Sequence, residues 1–390
     1  MACALTIGAG NVMALGGFRI IDADGHVTEP APLYRTYIDP KFRTRGEELL
    51  TRAGAGNLGI VPALVPDWRS AERPLGEANE VRGLGKLPSG RNHPLASPAG
   101  GYDPLERIRD MDKEGIDMAV CFATVATSVC AMTEADFEAA LARAYNRWVG
   151  EYCSANLARI RAVGIVPQRS MDLCAAEIRW LAREPWCVGI MTFGNLDGRL
   201  ADHPYFDPLY RAAQDEGLPI CFHGGTDRPP FAPGRAEVGN NMFMMHLTGH
   251  AWHQMRAMAS VVGGGLFERY SRLRFGFFEG GISWVPWWAE RMDGHYEHFA
   301  RHTPHLTRKP SEQMRNERCF YTFDPDEDLL PEALAMMGAG RLMWASDYPH
   351  FDARFPDAAE IVVNHARLTE AHKRALLFEN ALRFYPRLAS

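Results

Sequence analysis

The 390-residue chain is 46% hydrophobic and 23% charged, which excludes a disordered or low-complexity protein. A net charge of −6 offers no basic footprint for nucleic acid or an anionic membrane, so neither is an expected partner. Its eight cysteines include no Cys-x-x-Cys pair, which argues against a thiolate metal site or disulfide framework and for reduced thiols in the cytoplasm.

Residues 1–17 hold no Lys or Arg, and their apolar run is broken by Gly8, Gly10, Gly16 and Gly17. That is neither a secretory signal nor a membrane span, and a flexible arm is expected before one domain over 18–390. From there short β-rich runs alternate with amphipathic stretches. Strands are predicted at Phe18–Asp24, Asp117–Ala123, Arg161–Val166, Val188–Phe193, Pro219–His223, Arg274–Glu279, Phe320–Phe323 and Arg341–Asp347. Helices are predicted at 104–114, 134–157, 171–183, 205–217, 246–260, 284–301 and 328–338, with 357–366 and 370–385 after the last strand. Eight such units argue for a (β/α)8 TIM barrel, whose active site lies at the C-terminal ends of its strands. An open doubly wound sheet is less favoured, because no Gly-x-Gly-x-x-Gly follows the first strand.

Two insertions interrupt the pattern. Residues 39–103, rich in Pro and Gly, follow the first strand and are read as a cap or lid, with a surface or subunit-interface role the alternative. The second, Thr226–Met245, leaves the fifth strand and could wall the same pocket.

Four strand ends carry ionisable groups. The first delivers Asp24 and His26, which strand alternation places on one face, with Glu29 just beyond. The fifth ends at His223, the sixth at Glu279, and the eighth at Asp347. Such groups against a barrel core are costly unless paired or bound to a metal, and a metal site is the expectation. On the helix before the sixth strand, His246, His250 and His253 share a face, and His250 is the expected ligand. Asp24, Glu29, Glu279 and Asp347 with His26, His223 and His250 make a mixed oxygen and nitrogen set. That set suits two ions of iron or manganese, with zinc an open alternative. Glu279, Asp347 and His250 are the groups expected to act on the reaction. Tyr348 and His350 are read as supports for the ligands or contacts to substrate.

The Asp-x-His of strand 1, His223 and the Ser-Asp-Tyr-Pro around Asp347 resemble the amidohydrolase superfamily, in the branch that holds the ACMS-type decarboxylases. By that resemblance His26, His223 and Asp347 are metal ligands, with Asp24 in place of a first His. Glu279 stands where the decarboxylases have His-Gly-Gly, and His250 is extra. With the first insertion and the Trp-Val-Pro-Trp-Trp run at 284–288, these departures resemble the TIM-barrel non-heme diiron monooxygenases of the platensimycin and platencin diterpenoid hydroxylase type. That narrower resemblance implies two irons, O₂, an external electron donor and hydroxylation of a hydrophobic CoA thioester. Arg82, Lys86 and Arg91 would then meet CoA phosphates, and Trp252, Trp284, Trp287, Trp288, Phe277, Phe278 and Met242–Met245 would supply a dry pocket. The alternative is a metal-dependent hydrolase or decarboxylase; a non-catalytic binding barrel is a third reading. A homo-oligomer is expected.

Overall fold

Strands buried on both faces read as continuous apolar runs, and those of this chain do. In a computed structural model, which describes residues 15–30, 33–46, 98–224, 242–350 and 352–389, each predicted strand forms. They are β1 (Ile21–His26), β2 (Met118–Phe122), β3 (Ile160–Ile165) and β4 (Cys187–Thr192), then a short antiparallel pair, β5 (Asn195–Leu196) and β6 (Arg199–Leu200). After these come β7 (Ile220–His223), β8 (Phe275–Phe278), β9 (Cys319–Phe323) and β10 (Leu342–Trp344). Eight pair in the order β1-β2-β3-β4-β7-β8-β9-β10, all parallel. The ends of that sheet meet through the Asp347 N–H, which donates to the Asp24 carbonyl at 3.1 Å, and the His26 N–H, which donates to Tyr348 at 2.6 Å. The result is the expected α/β TIM barrel.

Helices pack outside the strands because their apolar stripes need cover. The longest are α1 (Pro104–Glu114), α2 (Ala135–Ser154), α3 (Met171–Leu181), α4 (Asp207–Asp215), α5 (Met242–Gly263), α6 (Val285–Phe299) and α7 (Leu330–Met337), and the short helices Ala358–Val363, Glu370–Arg374 and Asn380–Phe384 follow the last strand. Asp103 caps α1 by accepting from the Leu105 and Glu106 N–H groups, and Gly115 ends it at φ 76°. Among the described residues no helix is long and apolar enough to cross a membrane.

The boundaries differ from expectation where local chemistry intervenes. β1 begins at Ile21 and not Phe18, because Gly16 and Gly17 turn the chain so that Phe18 bonds back to Leu15. β8 stops before Glu279, which adopts left-handed backbone at φ 53°, and β10 ends at Trp344, ahead of Asp347 at φ 55°. The β5–β6 hairpin was not anticipated, although its Asp197-Gly198 turn, at φ 48° and 76°, is a strong hairpin signal. Most of the first insertion (47–97) and of the second (225–241) lies outside the described residues, and so do Arg82, Lys86 and Arg91. The cap reading and the phosphate contacts fall there.

Candidate metal centre

β1 carries one extra residue against β2, a bulge between Asp22 and Gly25 that bends the strand end and re-aims its side chains. Asp24 and His26 then face into the barrel mouth, where His223 arrives from the end of β7. Asp24 Oδ1 lies 3.6 Å from His26 Nε2 and 3.4 Å from His223 Nε2. All three atoms are buried and none has a hydrogen-bond partner. A buried polar atom left unsatisfied costs about 1–3 kcal/mol, so three around one point need a common partner.

The imidazole tautomers identify that partner. His26 Nδ1 is 3.2 Å from the Ala123 carbonyl, and His223 Nδ1 is 2.8 Å from that of Gly224. A carbonyl only accepts, so each Nδ1 carries the proton and each Nε2 presents a lone pair. Two imidazole lone pairs and a carboxylate oxygen are donors able to hold a cation. Their separations match the ~3.4 Å edge of a tetrahedron of donors about 2.1 Å from a shared ion. The donor set therefore fits a divalent metal.

A second cluster adjoins the first through His26, with Glu279, Asp347 and His350. Asp347 Oδ1 is 3.4 Å from His26 Nε2 and 2.7 Å from His350 Nδ1. His350 Nδ1 is also 3.6 Å from Glu279 Oε1, and its Nε2 is 3.0 Å from Thr124 Oγ1. Unlike the first three atoms, the Asp347 oxygen and His350 nitrogen satisfy each other.

Burial and charge act on these groups together. Burial pushes Asp24 up to about 6 against the pull of His223, and holds His26 well below its ordinary value. Burial also draws His223 down, but Glu279 and Asp24 outweigh it and hold the imidazole above the usual range. At Glu279 burial is outweighed in turn by His250 and His223, which keep its carboxyl well below the usual range. His350 is held well above its ordinary value, since Asp347 and Glu279 overcome the burial. The pocket thus holds protons that a cation would displace.

Two expected ligands lie outside both clusters. The Glu29 carboxylate accepts the N–H groups of Thr124 at 3.2 Å, Val125 at 2.8 Å and Ala126 at 3.0 Å, which makes it an anchor for the β2 loop. His250 Nε2 stands 3.8 Å from Glu279 Oε1, beyond hydrogen-bond reach, and burial lowers it to about 4. His246 turns instead to Asp352 at 3.1 Å, and His253 is buried with Phe193 stacked on it. Sequence reasoning missed Thr124, which carries no periodic or motif signal, and gave His350 only a supporting place.

An open cleft of about 450 Å³ leads to the centre, lined by His246, His250, Glu279, Asp324, Asp347 and Arg354 among others. This is not the dry aromatic pocket expected. Phe277 and Phe278 belong to the core, while Trp252 and Trp287 are 45% and 53% exposed. The side chains of Met242–Met245 lie outside the described residues.

The chain is 24% identical over 291 residues to the 2-amino-3-carboxymuconate-6-semialdehyde decarboxylase of Dictyostelium discoideum, covering 73% of this chain and 76% of that protein. It is 26% identical over 278 residues to the gamma-resorcylate decarboxylase of Rhodococcus jostii, covering 65% and 81%. Among solved structures, the 5-carboxyvanillate decarboxylase of Novosphingobium aromaticivorans, a complex with manganese, superposes with a TM-score of 0.69 at 19% identity, covering 95% and 98%. The two relatives found by sequence overturn the diiron monooxygenase expectation and its oxidoreductase chemistry, because both are decarboxylases. Of the two departures that suggested an oxygenase, His250 stays out of both clusters, and Glu279 Oε2 lies 3.2 Å from His223 Nδ1, on the side of the ring away from Asp24. The Amidohydrolase family model matches residues 21–387, the whole barrel from β1 to the C-terminal helices, and the chain belongs to that family.

Proposed function

We propose that the protein is a metal-dependent decarboxylase acting on a small aromatic or conjugated acid that carries an electron-releasing hydroxyl or amino group. The observation that carries this reading is the convergence of three buried, partnerless donor atoms on Asp24, His26 and His223 beside a hydrogen-bonded Asp347–His350 pair. The named decarboxylase relatives support it. Asp24, His26 and His223, with Asp347 Oδ1 3.4 Å from His26, would hold one divalent ion, manganese being the first to test. One ion is the better count, because the donors left after these four are His350, whose two nitrogens meet Asp347 and Thr124, and Glu279, whose Oε2 lies 3.2 Å from His223 Nδ1. Bound there, the ion supplies Lewis acidity toward the substrate's oxygens.

The chain's own residues supply the proton. In decarboxylation the C–C bond breaks, its electron pair stays on carbon, CO₂ leaves, and carbon takes a proton. A proton on His350 Nδ1, donated in a hydrogen bond to the Asp347 oxygen that also faces the ion, is positioned at the mouth for that delivery. Thr124 at His350 Nε2 fixes the ring's orientation.

The test is CO₂ release by manganese-loaded protein from 2,6-dihydroxybenzoate, 5-carboxyvanillate and 2-amino-3-carboxymuconate semialdehyde. The expected result is CO₂ equimolar with product, at the same rate with and without O₂. Hydrolysis of an ester, lactone or amide panel with no CO₂ from any acid would overturn the reading.

A further inference from the structure

The barrel's ends meet where two metal-ligand arms run side by side, and an ionic group lies buried behind that seam. Arg107 on α1 is 1% exposed and Asp22 on β1 is fully buried. Arg107 Nη1 donates to the His26 carbonyl at 2.8 Å and reaches the Tyr348 carbonyl at 3.5 Å. Its Nη2 lies 3.7 Å from Asp22 Oδ2. That same carboxylate accepts the Ser346 hydroxyl at 2.6 Å, the Ser346 N–H at 3.0 Å and the Asp24 N–H at 3.3 Å. Ser346 Oγ in turn accepts the Tyr348 N–H at 3.0 Å. Every contact falls on a candidate ligand or on a residue beside one: Asp24 and His26 on one arm, Ser346 and Tyr348 flanking Asp347 on the other.

We infer that Arg107, Asp22 and Ser346 form a clasp that positions the metal ligands of β1 and of the β10 loop relative to each other. The inference rests on the metal-site reading above. A buried ion pair is weak evidence for stability, since apolar replacements often match it, whereas fixing a unique geometry is a better-attested use. Gly25 fits the same account. A Cβ there would stand 2.4 Å from Arg107 Nη2 and 2.5 Å from Asp22 Oδ2, so the residue between Asp24 and His26 leaves room for the clasp. Asp347 sits at φ 55° with its N–H on the Asp24 carbonyl, a conformation that the Ser346 and Tyr348 anchors on either side hold in place.

The experiment measures manganese binding by the loss of the free-ion EPR signal, with thermal melting in parallel. Variants are Arg107→Met, Ser346→Ala and Gly25→Ala, and Glu177→Gln, which disturbs the distant Arg143–Glu177 pair, serves as a stability control. Outer partners of metal ligands typically change affinity by about 10–100-fold, and a loss of at least about tenfold is expected in the clasp variants. The control should melt earlier with its affinity unchanged. Excess manganese should restore turnover to the clasp variants, so half-saturation moves more than kcat. Clasp variants that bind within about twofold of wild type would overturn the inference while leaving the metal site standing. Wild-type protein that binds no manganese would overturn the site reading, and this inference with it. If Arg107→Met does not fold, Ser346→Ala, which removes only a hydroxyl, decides the matter.

Discussion

Asp24 and Glu29 leave the same strand five residues apart, yet only one carboxylate is spoken for. Glu29 has three N–H donors; Asp24 Oδ1 has none and faces two imidazole lone pairs. Their substitutions should therefore differ in kind. Glu29→Ala should keep full metal content but lose about 2–4 kcal/mol of stability in urea unfolding, because it orphans several N–H groups. His223→Ala should lose the metal and turnover together, with metal content read by elemental analysis. Asp347→Asn weakens the partner that holds a proton at His350, and at a manganese content matched to wild type kcat should fall by roughly 10²–10⁴-fold. If kcat changes less than about threefold, the proton comes from elsewhere.

α1 ends at Glu114, whose Oε1 accepts the Ala359 N–H at 3.3 Å, the first turn of the helix Ala358–Val363. A helix N-terminus favours a charged carboxylate by about 0.3–1 kcal/mol, but burial acts the other way and wins, helped by nearby Asp22. Glu114 is pushed up to about 7 from 4.5. Since the folded state holds this proton more tightly than the unfolded chain, its contribution is full below about pH 4.5 and is lost as pH rises through about 7. Glu114→Gln should remove that loss and be more stable than wild type by about 1–3 kcal/mol at pH 8, and by much less at pH 5. Equal pH slopes for the two proteins in urea unfolding would count against it. On α5, Gln254 Nε2 donates to the Phe222 carbonyl at 3.1 Å and the Phe278 carbonyl at 2.6 Å, tying β7 to β8 just where His223 and Glu279 follow. The sequence reading singled out the histidines, Trp252 and Met242–Met245 of this helix but not Gln254, because a lone glutamine has no periodic signature.

At the scale of the molecule, the donors come from β1, β7 and the β10 loop, so one ion would link opposite parts of the barrel wall. An ion that binds only the folded state adds about 2.7 kcal/mol at a hundred times its Kd. Chelation should therefore lower the melting temperature by several degrees, on the order of 5 °C, and added manganese should restore it. A melting curve indifferent to chelator and manganese would count against a site that spans the barrel.

The sequence by itself determined the barrel, its eight strands and the four strand ends that meet at the mouth. Apolar runs of four to six residues and amphipathic helices between them report burial, and burial is what a parallel barrel imposes. Asp24, His26, His223, Glu279 and Asp347 were legible for the same reason, as charges placed where apolar runs stop. Only the tertiary structure decided which of them share a centre. Glu29 and His250 match the others in residue type, but one is filled by the backbone of the β2 loop and the other stands at the rim of the cleft. The clasp was equally invisible, since Arg107 is 81 residues from His26 and 241 from Tyr348 along the chain. Local pattern fixes the face a residue presents; which distant atom satisfies it depends on how the ends of the sheet close.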